Sequence, residues 1–270
     1  MKILVTGHQG FIGQNFINSI INKHEVAGWE WNAEKLPDVK GFDWVVHLGA
    51  ISSTEEKDVD KVILQNYEFS KWLYNECNHA GVNLQYASSA SVYGKTDHFT
   101  EDGNLQPESP YAWSKYLFDR WVHQQRHNII VQGFRYFNVY GPGEAHKGNQ
   151  RSVFHKFKEQ AEENKKILVF EGSKDIKRDF ICVADVVEIH KRFFEITESG
   201  VWNVGTGSAT SFYEIAEKIA EKTSAEIIEI PIPDTIKQQY QYFTQSNNRK
   251  LQIAMGDYRF ISPLDYLDMA

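Results

Sequence analysis

The feature that most restricts the fold stands at the start of the chain, where the run Lys2-Ile-Leu-Val-Thr6 meets Gly7-His8-Gln9-Gly10-Phe11-Ile12-Gly13. Apolar residues then recur at helical spacing at Ile12, Phe16, Ile20 and Ile21. Strand, glycine turn and helix follow one another without a gap. Glycines spaced GxxGxxG at such a junction let the backbone approach a pyrophosphate, and the helix N-terminus adds unpaired N–H groups and a partial positive charge. Three glycines in a loop can also be turn chemistry alone, but the strand before and the helix after favour dinucleotide binding.

Further strands are expected at 25–30, 44–48, 83–88 and 129–135. Helical patterns fall between 59 and 79, from Pro110 to about Arg126, and near 150–163. This alternation implies an α/β fold with a Rossmann-type, doubly wound parallel sheet. After Tyr140 come Gly-Pro-Gly, short strands at 167–170, 201–204 and 226–230, and helices at about 184–196 and 211–222. These suggest a smaller C-terminal α/β lobe. The expected division gives residues 1–141, with parts of 175–206, to an NAD(P)-binding domain and 142–270 mainly to a substrate lobe.

Glu30 ends the second strand seventeen residues after Gly13, near the roughly 20-residue offset at which a carboxylate binds the adenosine ribose. Its charge favours a free 2′-hydroxyl and repels a 2′-phosphate. The competing reading is a solvated glutamate between two tryptophans. Only residues 31–43 separate this strand from the next, which is barely a crossover, so one strand-helix unit of the usual nucleotide-binding half is trimmed or missing.

A net charge of -7 repels polyanions and argues against nucleic acid as a partner. No apolar stretch approaches the roughly 18–20 residues that cross a bilayer, and the N-terminus enters a strand after one lysine, so no membrane association and a cytoplasmic location are expected. Cys77 and Cys182 form neither a disulfide framework nor a metal-ligand spacing.

Tyr111-Ala-Trp-Ser-Lys115 puts a phenol and an ammonium at i and i+4 on one face of a helix that starts at Ser109-Pro110. Upstream, Ser88-Ser89-Ala90-Ser91-Val92-Tyr93-Gly94 closes a strand whose C-terminal end faces the same crevice. A neighbouring ammonium and an oxidised nicotinamide both favour the phenolate, which would let Tyr111 work as a base near neutral pH. A lone YxxxK is commonly a surface pair; with the glycine turn and the serine run it is specific.

In order along the chain, Gly7 to Gly13, His47-Leu48-Gly49-Ala50, the serine run, Tyr111/Lys115 and Arg135-Tyr136-Phe137-Asn138-Val139-Tyr140-Gly141-Pro142 resemble the extended short-chain dehydrogenase/reductases, the NAD-dependent nucleotide-sugar epimerases and dehydratases. The segments 133–148, 170–180, 202–212 and 240–245 resemble most the branch of that family that epimerises ADP-L-glycero-D-manno-heptose at C6. The resemblance implies oxidation of a secondary alcohol on the sugar by one tightly bound nicotinamide per chain, then re-reduction from the opposite face. It also implies a nucleotide-diphosphate sugar as substrate, ADP-heptose in particular, and a homo-oligomer.

By the same resemblance Tyr111 is one base and Lys147 the other, Ser89 hydrogen-bonds the reacting oxygen, and Lys115 holds the nicotinamide ribose and depresses the Tyr111 pKa. Gly7, Gly10, Phe11, Ile12, Gly13, Glu30, Leu48, Gly49, Ala50, Asn66, Tyr111, Lys115 and Asn138 are the implied cofactor contacts. Ser89, Asn138, Lys147, Arg178 and Tyr240 are the implied substrate contacts, with His155 or its neighbour Lys156. Taken by itself, Lys147 reads as a surface lysine and Arg178 as half of a surface pair with Asp179. The resemblance favours NADP, whereas Glu30 favours NAD. Two other readings stand beside this one: another nucleotide-sugar epimerase or dehydratase of surface polysaccharide synthesis, which need not carry Lys147, and a regulator that senses NAD(P) without turnover, which has no use for Ser89, Tyr111 and Lys115.

Overall fold

The computed structural model describes residues 1–269 apart from Glu55, Gln238 and Gln239, with the side chains of Thr235 and Ile236 also outside it. The chain runs β1 (Lys2–Thr6), α1 (Phe11–Ile20), β2 (Glu25–Trp29), β3 (Trp44–His47), α2 (Val59–Val62), a π-helical turn (Ile63–Glu68), α3 (Phe69–Ala80) and β4 (Asn83–Ser89). It continues through a 3-10 turn (Ala90–Tyr93), α4 (Pro110–His123), β5 (Val131–Tyr136), β6 (Asn138–Tyr140), a 3-10 stretch (Ala145–Gln150) and α5 (Val153–Asn164). Then come β7 (Lys166–Phe170), β8 (Lys177–Cys182), α6 (Val183–Phe193), β9 (Gly200–Val204), β10 (Ala209–Ser211), α7 (Phe212–Thr223) and β11 (Glu226–Ile230). The last elements are α8 (Asp234–Lys237), α9 (Arg249–Met255) and α10 (Pro263–Met269).

Six strands form one all-parallel sheet in the order β2-β1-β3-β4-β5-β9. Alternation along each strand feeds two cores. Ile3, Val5, Trp44 and Val46 pack with Phe16 and Ile20 of α1 and Val187 of α6, while Leu4, Val45 and Leu84 pack with Phe69, Leu73 and Phe118 of α3 and α4. β2 is the sheet's edge, and no strand or helix occupies 31–43, so the trimmed crossover inferred from the chain length is what the fold contains. Two smaller sheets, β10-β8-β6 and β11-β7, pack with α5 and α7 around Phe154, Phe157, Phe180 and Ile215.

Three short strands escape the sequence pattern. β8 reads Lys-Arg-Asp-Phe-Ile-Cys and buries both Arg178 and Asp179, so no apolar run announces it, and β6 and β10 have three residues each. The π turn is equally invisible in a helical pattern. It carries buried Asn66, whose Oδ1 accepts from Ile51 N–H at 2.8 Å and whose amide donates to Ile51 O at 2.9 Å and Ser114 Oγ at 3.0 Å. Widened turns of this kind often mark positions where one side chain is re-aimed.

Candidate active site

In a parallel sheet, ligands meet the C-terminal strand ends at the point where strand order reverses, here between β1 and β3. Gly7 follows β1 there with φ 71°. A Cβ at Gly7 would stand 2.4 Å from Gly49 Cα, and one at Gly13 would stand 2.2 Å from Gly7 O, so these two glycines allow the turn, the loop after β3 and α1 to close up. Gly10 has another job. It is exposed at the N-cap of α1, and among the described residues, its chain neighbours aside, a Cβ placed there meets only Gly7 O, at 3.3 Å. With no side chain at the cap, the first N–H groups of α1 face open space. Phe11 is buried beside them, while Ile12 and Leu48 help pack the core beneath.

Glu30 follows β2, and its Oε1 accepts the Gln9 N–H at 2.6 Å. Beside it lies a cavity of about 110 Å³ lined by Gly7, Trp29, Glu30, Trp31, Ala50 and Phe69. An open helix N-terminus, a cradle at Gly10 that a side chain would fill and a carboxylate at the cavity wall together fit a dinucleotide. The sequence reading missed His8, Trp29, Trp31 and Phe69 at this end, since their roles depend on how the shortened segment folds back. Asn66, expected as a cofactor contact, donates one amide hydrogen to Ile51 O in the loop that carries Ala50 and the other to Ser114 Oγ of α4.

On α4, Ser109 Oγ accepts the Ala112 N–H at 3.1 Å, and Pro110 begins the helix without needing a donor. Tyr111 and Lys115 then share one face, with Lys115 Nζ 5.9 Å from the Tyr111 ring centre and donating to Ala87 O at 2.8 Å. Successive residues of β4 point oppositely. Ser88 Oγ turns inward and donates to Asp119 Oδ2 at 2.9 Å, while Ser89 is only half-buried. Ser89 Oγ accepts from Ser91 N–H at 3.2 Å and Ser91 Oγ at 3.0 Å, so its own proton is left for the hydrogen bond it shares with Tyr111.

The expected depression of Tyr111 by Lys115 is not what the protein itself produces. Burial raises the phenol above its usual value, and the opposing influence is the Ser89 hydrogen bond. Lys115 is too desolvated to dominate: burial pushes its own pKa down to about 8, with Asp119 acting in the other direction. Behind them, Arg135 Nε donates to Asp119 Oδ2 at 2.9 Å, Arg135 Nη1 donates to Tyr93 Oη at 3.0 Å, and Tyr93 donates to Asn203 Oδ1 at 2.6 Å. This buried chain fixes β5, α4 and β9 together. A second buried group, His47, bridges Thr6 Oγ1 at 2.6 Å and Ser70 Oγ at 2.8 Å, and burial drives its pKa down to about 3, so it stays neutral.

Lys147 lies in the 3-10 stretch, 4.9 Å from the Phe11 ring centre and 3.7 Å from Glu144 Oε2. It therefore stands over the start of α1. Burial lowers its pKa and Glu144 raises it. Glu144, missed in the sequence, is buried and accepts the N–H groups of Gly141 at 3.1 Å and Ser152 at 2.6 Å.

Arg178 is 7% exposed, and among the described residues no carboxylate pairs with it. Its Nη1 donates to Lys177 O at 3.0 Å, and its Cζ lies 5.6 Å and 5.7 Å from the Phe212 and Tyr240 ring centres. Burial pushes its pKa down to about 10. Neighbouring Asp179, read from sequence as its possible partner, instead accepts from Thr206, Gly207 and Ser246. Tyr240 also lines an open cavity of about 540 Å³ with Lys95, Tyr242 and Phe243. Asn138 is exposed on β6, and His155 is half-buried on α5.

The parallel sheet, the glycine turn, Ser89 at the end of β4, and Tyr111 and Lys115 on α4 define a nicotinamide-dependent protein of the short-chain dehydrogenase/reductase class. Residues 3–205 match the NAD dependent epimerase/dehydratase family, and the chain belongs to that family. It is 38% identical, over an alignment of 298 positions that covers 96% of this chain and 93% of the relative, to the ADP-L-glycero-D-manno-heptose-6-epimerase of Brachyspira hyodysenteriae. It is similar in structure to the Helicobacter pylori ADP-L-glycero-D-manno-heptose-6-epimerase, with TM-score 0.87, 26% identity and coverage of 98% and 92% of the two chains. It is also similar to MoeE5 in complex with UDP-glucuronic acid and NAD, with TM-score 0.84, 25% identity and coverage of 99% and 97%. No helix among the described residues is long and apolar enough to cross a membrane.

Proposed function

We propose that this protein is a nucleotide-sugar epimerase that inverts C6 of an ADP-linked heptose. The observation that carries the reading is the seat of Lys147: a second ionisable group stands over the start of α1, apart from Ser89 and Tyr111 at the end of β4 and on α4. Unless the sugar turns over in the site, inversion requires a proton acceptor on each face of the reacting carbon, because one fixed base cannot reach both. The Brachyspira relative and the Helicobacter structure, both named for this activity, support the same substrate.

Bound nicotinamide supplies reversible hydride chemistry at the carbon. Tyr111 would accept the alcohol proton on one face as its phenolate, a form that the positive charge of bound oxidised nicotinamide would favour against the burial that raises the phenol, and the Ser89 hydroxyl would turn from Tyr111 to donate to the substrate oxygen as negative charge gathers there. Lys147 returns a proton to the oxygen when the ketone is reduced on the other face. Arg178, buried and paired with no carboxylate among the described residues, holds the substrate diphosphate with its planar fork.

The test is to incubate the pure protein with ADP-heptose of one C6 configuration and resolve the epimers. Lys147→Met should stop interconversion while sugar nucleotide and cofactor still bind. If only a phosphate-binding charge were lost, substrate binding would weaken instead of turnover. Wild-type epimerisation by Lys147→Met returns that lysine to the surface and removes the two-base reading.

A further inference from the structure

The loop from Gly141 to Ser152 carries Lys147 and has little packing to hold it. Gly143 and Gly148 take positive φ, 96° and 54°, and among the described residues of 141–152 only Glu144 is buried. Its carboxylate does what an apolar side chain would do elsewhere. Oε1 accepts the Gly141 N–H at 3.1 Å and the Ser152 hydroxyl at 2.7 Å, while Oε2 accepts the Ser152 N–H at 2.6 Å. The two ends of the loop thus meet on one side chain. Between them the Lys147 N–H donates to Glu144 O at 2.9 Å, and Asn15 of α1 donates to Pro142 O at 3.0 Å. Lys147 Nζ then lies 3.7 Å from Glu144 Oε2 and 4.9 Å from the Phe11 ring centre. Only a carboxylate can accept all three side-chain contacts, since an amide would turn one oxygen into a further donor.

We propose that Glu144 is a positioning residue for the reaction: by tying Gly141 to Ser152 it seats Lys147 over the start of α1, and it sets a negative charge beside the amine. This deepens the two-base reading of the site and rests on it. Burial disfavours the ammonium of Lys147, Lys156 of α5 acts in the same direction, and Glu144 opposes both. Phe11 and Asn15, which face the loop from α1, carry no charge. Arg151 of the loop and Tyr266 of α10 lie within electrostatic reach of Glu144, and Arg151 is held by Glu159 of α5 at 2.8 Å. A lysine that gives a proton in one direction and takes one in the other needs both forms within reach, and the balance between burial and Glu144 supplies them.

Two variants of the full chain separate the tie from the charge. Ser152→Pro removes both donors at the far end of the loop and leaves the carboxylate. Proline fits there, because Ser152 has φ -62° and Arg151 has ψ 148°. Glu144→Gln removes the charge. Competitive acetylation of Lys147 across pH, read by mass spectrometry, gives its pKa without any substrate, and kcat from each C6 epimer gives its part in turnover. Glu144→Gln should lower the Lys147 pKa by about one unit or more, and the limb of the kcat profile that coincides with it should move to lower pH by the same amount. Unfolding moves the labelled pKa up, toward that of free lysine, so lowered stability cannot imitate this result. Ser152→Pro should lower kcat by about tenfold or more and leave that limb in place, and it carries the test if Glu144→Gln does not fold. An unmoved Lys147 pKa in Glu144→Gln, or wild-type kcat in Ser152→Pro, overturns the proposal. Failure of the two-base reading itself shows elsewhere, as wild-type epimerisation by Lys147→Met.

Discussion

Lys115→Met should make the cofactor-free protein more stable while disabling it. The residue is 5% exposed, and burial moves its amine from 10.5 to about 8. At about 1.4 kcal/mol per pK unit, folding with that amine charged costs about 3 kcal/mol at pH 7. Methionine matches the lysine stem to within one atom and carries no charge, but loses the hydrogen bond to Ala87 O, worth about 1 kcal/mol. Asp119 keeps Arg135 as its partner at 2.9 Å. The net expectation at pH 7 is a gain of about 2 kcal/mol, which raises Tm by about 5 °C in a chain of this size.

The pH dependence separates this account from simple repacking. Between the folded value of about 8 and the unfolded 10.5, the unfolded chain binds more protons than the folded one. Wild-type stability therefore climbs as pH rises through that window, and the advantage of methionine fades with it. Urea unfolding of both proteins at pH 7 and near pH 10 measures the difference directly. A variant less stable than wild type at pH 7, or a gap of equal size at both pH values, would falsify the desolvation argument.

Gly10→Val should abolish dinucleotide binding in calorimetry with little change in melting, since a side chain there enters open space at the head of α1. Tyr111→Phe should slow turnover by about 10² or more while cofactor affinity is kept, in line with the usual size of acid-base contributions. Arg178→Met should raise KM for the sugar nucleotide far more than it lowers kcat; an unchanged KM with lowered kcat would move Arg178 from binding to chemistry.

The nucleotide-binding half was largely legible because its signals are local. β1, the glycine turn and α1 are contiguous, and Tyr111 and Lys115 share a helix face by spacing alone. Glu30 could be placed by counting, and the thirteen residues after it already implied a missing unit. What could not be read depends on contacts between distant segments. His8 Nδ1 stands 3.2 Å from Glu30 Oε1 only because β1 and β2 pair in register from Lys2↔Glu25 to Thr6↔Trp29. Glu144 looks like one more charge in a polar loop until Gly141 and Ser152 are seen to close around it. Mid-strand Gly28, where a Cβ would lie 2.4 Å from the His8 ring, was the one available hint of where His8 sits. Tyr111 shows a different limit: spacing set the ammonium beside the phenol correctly, but the sign of the pKa shift follows from desolvation, which a sequence does not display.

The trimmed crossover has a further effect at the margin of the sheet. β2 is hydrogen-bonded to β1 on one side, and no described strand pairs with the other. A row of peptide groups is thereby open to solvent, which is a template on which a second, partly unfolded chain could lay a strand. Its grip is poor, because β2 has five residues, begins with charged Glu25 and has no side chain at Gly28. Crowded refolding, when many such edges are bare at once, is where this economy in chain length should show itself, as aggregates that grow with protein concentration and that a bound dinucleotide, by holding Glu30 and the end of β2 in place, suppresses.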